Sequence, residues 1–505
     1  MNAGEPNNYT FCMNPHRLYT IAQVRELERI ATESLGLRGY ELMCRAGKAA
    51  FDVLRLRWPG ARRIAVLCGA GNNGGDGYVL ARLARAAGFE VAVLAIDAPG
   101  DGSEAAQALA DWRAAGGEVR GADTAWPLAD VYVDALLGIG LARPLEGAAL
   151  ASVQKLNAQT APVLALDVPS GLNADTGFAY GQAVRAQATL TFLADKRGLH
   201  TGAAVDYVGE VLVDPLGLRA EIQTAAPVDA HLVAPAELAA WLPPRSRDGH
   251  KGLYGHVLAI GGDVGMGGAI RLAGEAALRI GAGLVSVATQ AEYITALNAA
   301  RPELMAHAVG GIQELQSLLD RASVVALGPG LGQRAWGHSL WHTAIAAGKP
   351  LVLDADGLNL LARTTLALPG QTVLTPHPGE AARLLEIDTD SIARDRYAAV
   401  RELARRHHAV VVLKGAGTLI ANPHGDVAVC PWGNPGMATG GMGDVLTGVI
   451  AGLLAQGLDA WHAARAGVAL HARAGDLAAR DGEAGLVAGD LFMPLRHLRN
   501  GLAAL

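Results

Sequence analysis

Two aspartates, Asp444 and Asp167, stand in stretches whose composition suits proton chemistry. Asp444 closes the run Asn434-Pro-Gly-Met-Ala-Thr-Gly-Gly-Met-Gly-Asp444, just ahead of the apolar Val449-Ile-Ala-Gly-Leu-Leu. Successive glycines let backbone N–H groups converge on one point, and a helix starting there adds its positive end. Such a cradle suits the charge that builds on a phosphoryl group in transfer, with Asp444 placed to take a proton from a substrate hydroxyl. The glycines alone fit a tight turn before a buried helix equally well; the embedded acid favours chemistry. Asp167 belongs to Leu166-Asp167-Val-Pro-Ser170-Gly171, one of three polar loops that end strands in the first half. The others are Gly69-Ala-Gly-Asn-Asn-Gly-Gly-Asp-Gly77 and Asp134-Ala-Leu-Leu-Gly-Ile-Gly-Leu141. Asn73, Asp134 and Ser170 offer oxygen ligands to a hard monovalent cation. Asp167 is a candidate acid/base. One strand-end aspartate often only caps a helix, but three such loops together favour a site.

The second half carries its own polar loops. Lys414-Gly-Ala-Gly-Thr418 sets a lysine, two glycines and a hydroxyl at a strand end, which matches a diphosphate. In Thr375-Pro-His-Pro-Gly-Glu380, two prolines hold His377 rigidly. That histidine fits either a ligand contact or a structural turn. Glu380 fits a Mg2+ held through water, or position N3 of the next helix. Lys196, in Asp195-Lys-Arg-Gly-Leu-His-Thr-Gly202, reads first as a solvated loop lysine and second as a phosphate partner.

These loops need a scaffold. Helical spacing of Val24, Leu27 and Ile30 opens a helical region from Tyr19 to Arg57. The strand Arg63–Cys68 then runs into the first glycine loop, and a helix is expected over Val79–Ala87. Strand, glycine loop and helix make the first unit of a doubly wound sheet, the usual place for a dinucleotide phosphate. Further strands are expected at Glu90–Ile96, Val131–Asp134, Ala188–Ala194 and Gly209–Asp214. Linker chemistry between Gly217 and His250 puts a boundary near residue 225. Beyond it, strand and helix alternate again, with each polar loop at a strand's carboxyl end. The expected fold is α/β: a Rossmann-like three-layer α/β/α domain over 1–225, then a second α/β domain over 226–505.

Composition excludes several classes. The chain has 505 residues, 51% hydrophobic and 18% charged, which suits two or three domains with large cores. A formal charge of -6 argues against nucleic acid or anionic lipid as the main partner. Four cysteines lack metal spacing, no secretory leader is visible and no apolar run is long enough for a membrane span. A cytoplasmic protein acting on small molecules, with no nucleic acid or membrane partner and assembled as a homo-oligomer, is expected.

The three N-terminal loops, GNNGGDG, DALLGIG and DVPSG in that order, resemble the NAD(P)H-hydrate epimerase family over roughly residues 15 to 220. The resemblance implies that Asn72, Asn73, Gly74, Gly75 and Asp76, with Gly138, Ile139, Gly140, Leu141, Ala142, Arg143 and Pro144, hold the hydrate's phosphates. It also implies K+ on Asn73, Asp134 and Ser170, and proton chemistry by Asp167. HKGLYGH, GPGLG, TPHPGE, KGAGT and NPGMATGGMGD resemble the ribokinase-like NAD(P)H-hydrate dehydratases across residues 229 to 500. That match implies that Ala269, Gly332, His377 and Asp444 contact the hydrate. It further implies that Lys414, Gly415, Ala416, Gly417, Thr418 and Gly443 hold ADP or ATP. One departure is Met266, where an aromatic residue is expected. Together the two resemblances imply repair of hydrated NADH and NADPH: epimerisation at C6, then nucleotide-dependent dehydration, with ADP the expected donor and Mg2+ the expected ion. The alternative is an ATP-dependent small-molecule kinase with an N-terminal nucleotide-binding regulatory module.

Overall fold

Short apolar runs between glycine-rich turns become the strands of two sheets. The computed structural model describes residues 16–141, 143–218 and 225–502, and the chain divides into two units, Met1–His231 and Leu232–Leu505.

The central strands of the first unit are β1 (Arg63–Cys68), β2 (Glu90–Ala95), β3 (Val119–Gly121), β4 (Val131–Ala135), β5 (Val163–Leu166), β6 (Ala188–Phe192) and β7 (Glu210–Asp214). They lie parallel in the order β3-β2-β1-β4-β5-β6-β7. Helices cover both faces, so β1 is buried at every position after Arg63, as its uninterrupted Ile-Ala-Val-Leu-Cys demands. Strand order reverses between β1 and β4. The loops leaving their carboxyl ends therefore diverge and open a crevice.

The helix expected over Val79–Ala87 starts seven residues earlier and spans Asn72–Ala86. The glycine run is thus the helix's own first turns. Close packing explains the glycines: a Cβ on Gly74 would collide with the Gly69 carbonyl oxygen.

In the second unit the strands are β8 (His256–Ile260), β9 (Leu284–Thr289), β10 (Met305–Ala308), β11 (Val324–Leu327), β12 (Leu351–Leu353), β13 (Thr372–Leu374), β14 (Val410–Leu413), β15 (Thr418–Ala421) and β16 (Val427–Cys430). Their order is β16-β15-β14-β13-β12-β11-β8-β9-β10, parallel from β14 to β10, with β15 and β16 added antiparallel. The helices Gly267–Ile280 and Met442–Ala455 pack closely against each other. A Cβ on Gly448 would strike the Ala273 carbonyl oxygen, so this glycine sets their approach. No helix among the described residues is long and apolar enough to cross a membrane.

Candidate active sites

In the first unit, three strand ends build one site. Asp134, the fourth residue of β4, is fully buried, and its carboxylate joins two loops. Oδ1 accepts from Ser170 Oγ at 2.7 Å and Leu136 N at 3.2 Å, and Oδ2 from Ser170 N at 2.8 Å. Burial still pushes the Asp134 pKa up to about 6. Asn73 is buried beside the same loops, and neither atom of its side-chain amide has a protein partner. A buried, unpaired amide oxygen is costly unless something outside the chain takes it up.

Asp167 follows β5 with φ at 63°, a left-handed conformation that costs a non-glycine residue free energy. Its Oδ1 accepts from Lys196 Nζ at 2.6 Å and, at 3.3 Å, from Thr191 Oγ1 and Phe192 N. Lys196 is only 1% exposed and donates as well to Thr191 Oγ1 at 2.7 Å and the Phe192 carbonyl at 3.0 Å. This corrects the reading of Lys196 as a solvated loop residue. The chain leaving β6 folds back under Asp167, and a buried ammonium is tolerable there because a carboxylate and two further oxygens receive it.

A cavity of about 710 Å³ lies over these groups, lined by Asn72, Asn73, Asp76, Gly138, Ile139, Gly140, Leu141, Arg143, Pro144, Asp167 and Lys196. Gly74 and Gly75 do not line it, because they pack against the Gly69 carbonyl and the Met43 side chain. Asp134 and Ser170 also lie outside its lining, and Ala142 falls outside the described residues. Burial raises the Asp76 carboxyl well above the ordinary range, with Asp167 and Glu28 adding to it. Glu28, from the helix Ile21–Leu35, lines the cavity and was not singled out in the sequence. Nothing in its local pattern separates it from the other helix glutamates; only the tertiary fold turns it towards Asp167.

The second site centres on an aspartate that sequence reasoning left without a role. Asp354, after β12, is 1% exposed. Its Oδ1 accepts from Lys414 Nζ at 2.8 Å and its Oδ2 from Thr447 Oγ1 at 2.9 Å. The next residue, Ala355, has φ at 46°. The signal in the sequence is an aspartate ending the apolar run Leu351-Val-Leu, as Asp167 ends its own strand. Lys414 Nζ also lies 3.8 Å from Glu380 Oε2. Burial opposes the Lys414 ammonium, but Asp354 and Glu380 outweigh it and raise its pKa.

Gly443 and Asp444 occupy the first turn of the helix Met442–Ala455. A Cβ on Gly443 would come 3.3 Å from Lys414 Nζ and 3.5 Å from Asp354 Oδ2, so glycine leaves that corner open. Among the described residues no hydrogen bond reaches the Asp444 carboxylate. Burial, then Asp354, push its pKa up to about 7 against the opposing pull of Lys414. His377 caps the helix Pro378–Leu385: its Nδ1 accepts from Gly379 N at 3.0 Å, while Glu380 Oε2 accepts from His377 N at 2.8 Å. Both capping readings therefore hold, and the His377 ring still stands half exposed, its pKa lowered by burial and then by Lys414. Ala269 lies in the first turn of the helix Gly267–Ile280, where a Cβ on Gly330 would come 3.3 Å from its own. Gly332 N donates to Asp356 Oδ2 at 2.9 Å. Gly415, Ala416 and Gly417 turn the chain from Lys414 into β15, closed by Thr418 Oγ1 donating to the Gly415 carbonyl at 2.8 Å. Beside Met266, the Tyr293 ring lies against Gly267, and its hydroxyl accepts from Gly265 N.

Comparison with known proteins agrees with this division. The family profile described as NAD(P)H-hydrate dehydratase matches residues 257–495, and that of the YjeF-related protein N-terminus matches residues 39–198. The bifunctional NAD(P)H-hydrate repair enzyme of Coxiella burnetii is 50% identical over 491 residues, covering 96% of this chain and 99% of that one. Its Escherichia coli counterpart is 46% identical over 96% of this chain and 94% of its own. Among solved structures, a hypothetical protein from Streptococcus mutans is 31% identical with a TM-score of 0.51, over 54% of this chain and 99% of its own. A ribokinase-like superfamily protein from Enterococcus faecalis is 30% identical with a TM-score of 0.50, over 54% and 96%. With two profiles in tandem and near-complete relatives at half identity, this chain belongs to the family of bifunctional NAD(P)H-hydrate repair enzymes.

Proposed function

We propose that the first unit interconverts the R and S hydrates of NADH and NADPH at C6, and that the second dehydrates the S form at the expense of ADP. One observation carries the reading: each unit presents a partly buried aspartate, at a sheet's carboxyl edge or a helix N-terminus, with a lysine nearby that is buried in the first unit and partly buried in the second, and backbone suited to phosphates.

C6 of the hydrate bears both a hydroxyl and the ring nitrogen, so it inverts when a proton is supplied and removed. Asp167 moves that proton, with its second oxygen free towards Gly138 while Lys196 fixes the first. Asn72, Asn73, Gly138 to Leu141 and Arg143 orient the dinucleotide. K+ fits at Asn73, whose buried amide oxygen lacks a protein partner, with Asp134 and Ser170 completing the set. A fixed cation there would supply positive charge next to the phosphates.

In the second unit Asp444 takes the proton of the C6 hydroxyl, and the oxygen attacks the terminal phosphoryl of ADP. AMP leaves, carrying the electron pair of the broken P–O bond. The ring nitrogen's lone pair then expels inorganic phosphate from C6, and loss of the C5 proton restores the C5–C6 double bond. Gly440 to Gly443 and Lys414 hold the transferring group, and Asp354 holds Lys414. The buried Glu380 carboxylate, 3.8 Å from Lys414 Nζ, fits Mg2+ through water. That ion would neutralise phosphate charge.

The test is recovery of NADH absorbance from mixed R and S hydrate with ADP, ATP or no nucleotide. Full recovery with ADP is expected. Recovery stopping near half removes the epimerase, and none with either nucleotide overturns the repair reading in favour of a kinase.

A further inference from the structure

A second concave site in the C-terminal unit lies outside the chemistry above. Its cavity, about 1100 Å³, is lined by Arg245, Arg279, Arg301, Arg496 and Arg499 against only Glu275 and Glu303. None of the residues assigned to hydrate or nucleotide lines it. On a chain of formal charge -6, five arginines around one hollow make a local inversion of sign.

The arginines divide into two kinds. Arg279 and Arg301 are spoken for, because both meet the 2%-exposed Glu275 carboxylate. Arg245, Arg496 and Arg499 have no carboxylate within ion-pair distance among the described residues. Arg245 donates to the Gly281 carbonyl and lies 3.8 Å over the Tyr254 ring. Arg499 reaches only long contacts of 3.4 Å to the Leu242 and Pro243 carbonyls and Gln456 Oε1, and its Nε is buried without an acceptor. The two guanidiniums are neighbours: a Cβ on Gly281 would lie 2.8 Å from an Arg245 nitrogen and 3.0 Å from Gln456 Oε1, the oxygen that Arg499 reaches at 3.4 Å. A pair of like charges with spare donors and no acid is costly until an anion joins it. Guanidinium forks match phosphate oxygens two at a time.

The cavity is also remote from the nucleotide corner, at helix carboxyl ends whose carbonyls occupy part of the Arg245 and Arg499 donors. The helix Gly267–Ile280 begins at Ala269's corner and ends at this cavity, about 20 Å away at 1.5 Å per residue. The helix carrying Asp444 ends at Gln456, which lines an adjoining hollow of about 380 Å³ shared with Arg245 and Arg499. Trp241 and Tyr254 also line that hollow. We propose that this arginine-lined cavity is a second anion site, taking an oligophosphate of nucleoside di- or triphosphate size with its phosphates on Arg245 and Arg499.

Calorimetric titration of the full chain with inorganic tripolyphosphate tests it, with Lys414→Ala removing the binding class of the nucleotide site. Lys414→Ala protein is expected to keep one equivalent per chain at this cavity, besides any taken by the dinucleotide cavity of the first unit. Adding Arg245→Gln and Arg499→Gln should weaken that class about tenfold or more, the loss of at least one charge-assisted bond. Arg496→Gln, at an exposed position, should weaken it less and serves if the double variant misfolds. ADP binding tighter than tripolyphosphate at this class would make a nucleotide the occupant, and equal binding the phosphate chain itself. No residual class in Lys414→Ala, or one that none of the three arginine substitutions moves, overturns the proposal. So does a changed sedimentation coefficient with unchanged anion binding, which would make the cavity a contact between copies.

Discussion

Asp167 and Asp444 are the same side chain in two settings, and the contrast shows how environment assigns roles. Asp167 has a lysine directly on one oxygen, at 2.6 Å, and donors from β6 around it. Asp444 is offered no such bond. The nearby lysine is drawn instead to Asp354 at 2.8 Å, and Asp354 is itself held by Thr447. The lysine fixes one oxygen of Asp167 and leaves the other towards Gly138, the oxygen that the proposed epimerisation would use. Asp444 is left in a dry corner with its pKa pushed up to about 7, which suits the proposed role of a base acting on a hydroxyl at neutral pH. The intervening Asp354 makes the difference, by taking the lysine's direct bond away from Asp444.

The largest expected effect breaks the pair apart functionally. Asp444→Asn should lower nucleotide-dependent dehydration by about 10²–10⁴-fold, in the range of a lost general base. Epimerisation, followed by exchange between separated R and S hydrates, should be untouched. Equal loss of both activities would contradict independent sites. Next, Lys196→Met should cost about 3–5 kcal/mol in denaturant unfolding of the first unit, because it leaves the Asp167 carboxylate buried and uncompensated. It should also abolish epimerisation, and a Lys196→Met protein with normal stability would mean that the pair is not what orders Asp167.

The pH dependence of Asp444 sharpens the contrast. Only the ionised form is a base, so dehydration should fall about tenfold per pH unit below pH 7 and level off above it. Stability runs the other way. With its pKa raised from near 4 to about 7, folded Asp444 keeps a proton that the unfolded chain releases, so stability declines as pH rises from about 4 to 7. Asp444→Asn should therefore stabilise the second unit by about 4 kcal/mol at pH 8 and leave it unchanged below pH 4, as thermal melts across pH would show. The smallest effect is Thr447→Val, which removes one hydroxyl donor from Asp354 at a cost of about 1 kcal/mol. If dehydration then rises or falls severalfold, with KM for nucleotide shifted more than kcat, Asp354 is tuning Lys414 rather than merely packing.

Much of the scaffold was legible because its signals are local. Residues 64–68 of β1 and the whole of Val410–Leu413 are uninterrupted apolar runs, the pattern of a strand covered on both faces. The motif loops were legible for the same reason, since glycines, Asp167 and Asp444 lie within a few residues of the features that mark them. Where helices begin was less so: whether Asn72–Gly77 is loop or helix depends on what its glycines touch, and Gly69 supplies that contact.

The amino-acid order by itself thus determined the two α/β units, their sequence of loops and the two acids. Tertiary structure alone decided which group stands beside each acid. Lys196 lies 29 residues after Asp167, and Asp354 lies 60 before Lys414 and 93 before Thr447. Electrostatic partnership depends on distance through space and on burial, and neither is written in the spacing along a chain.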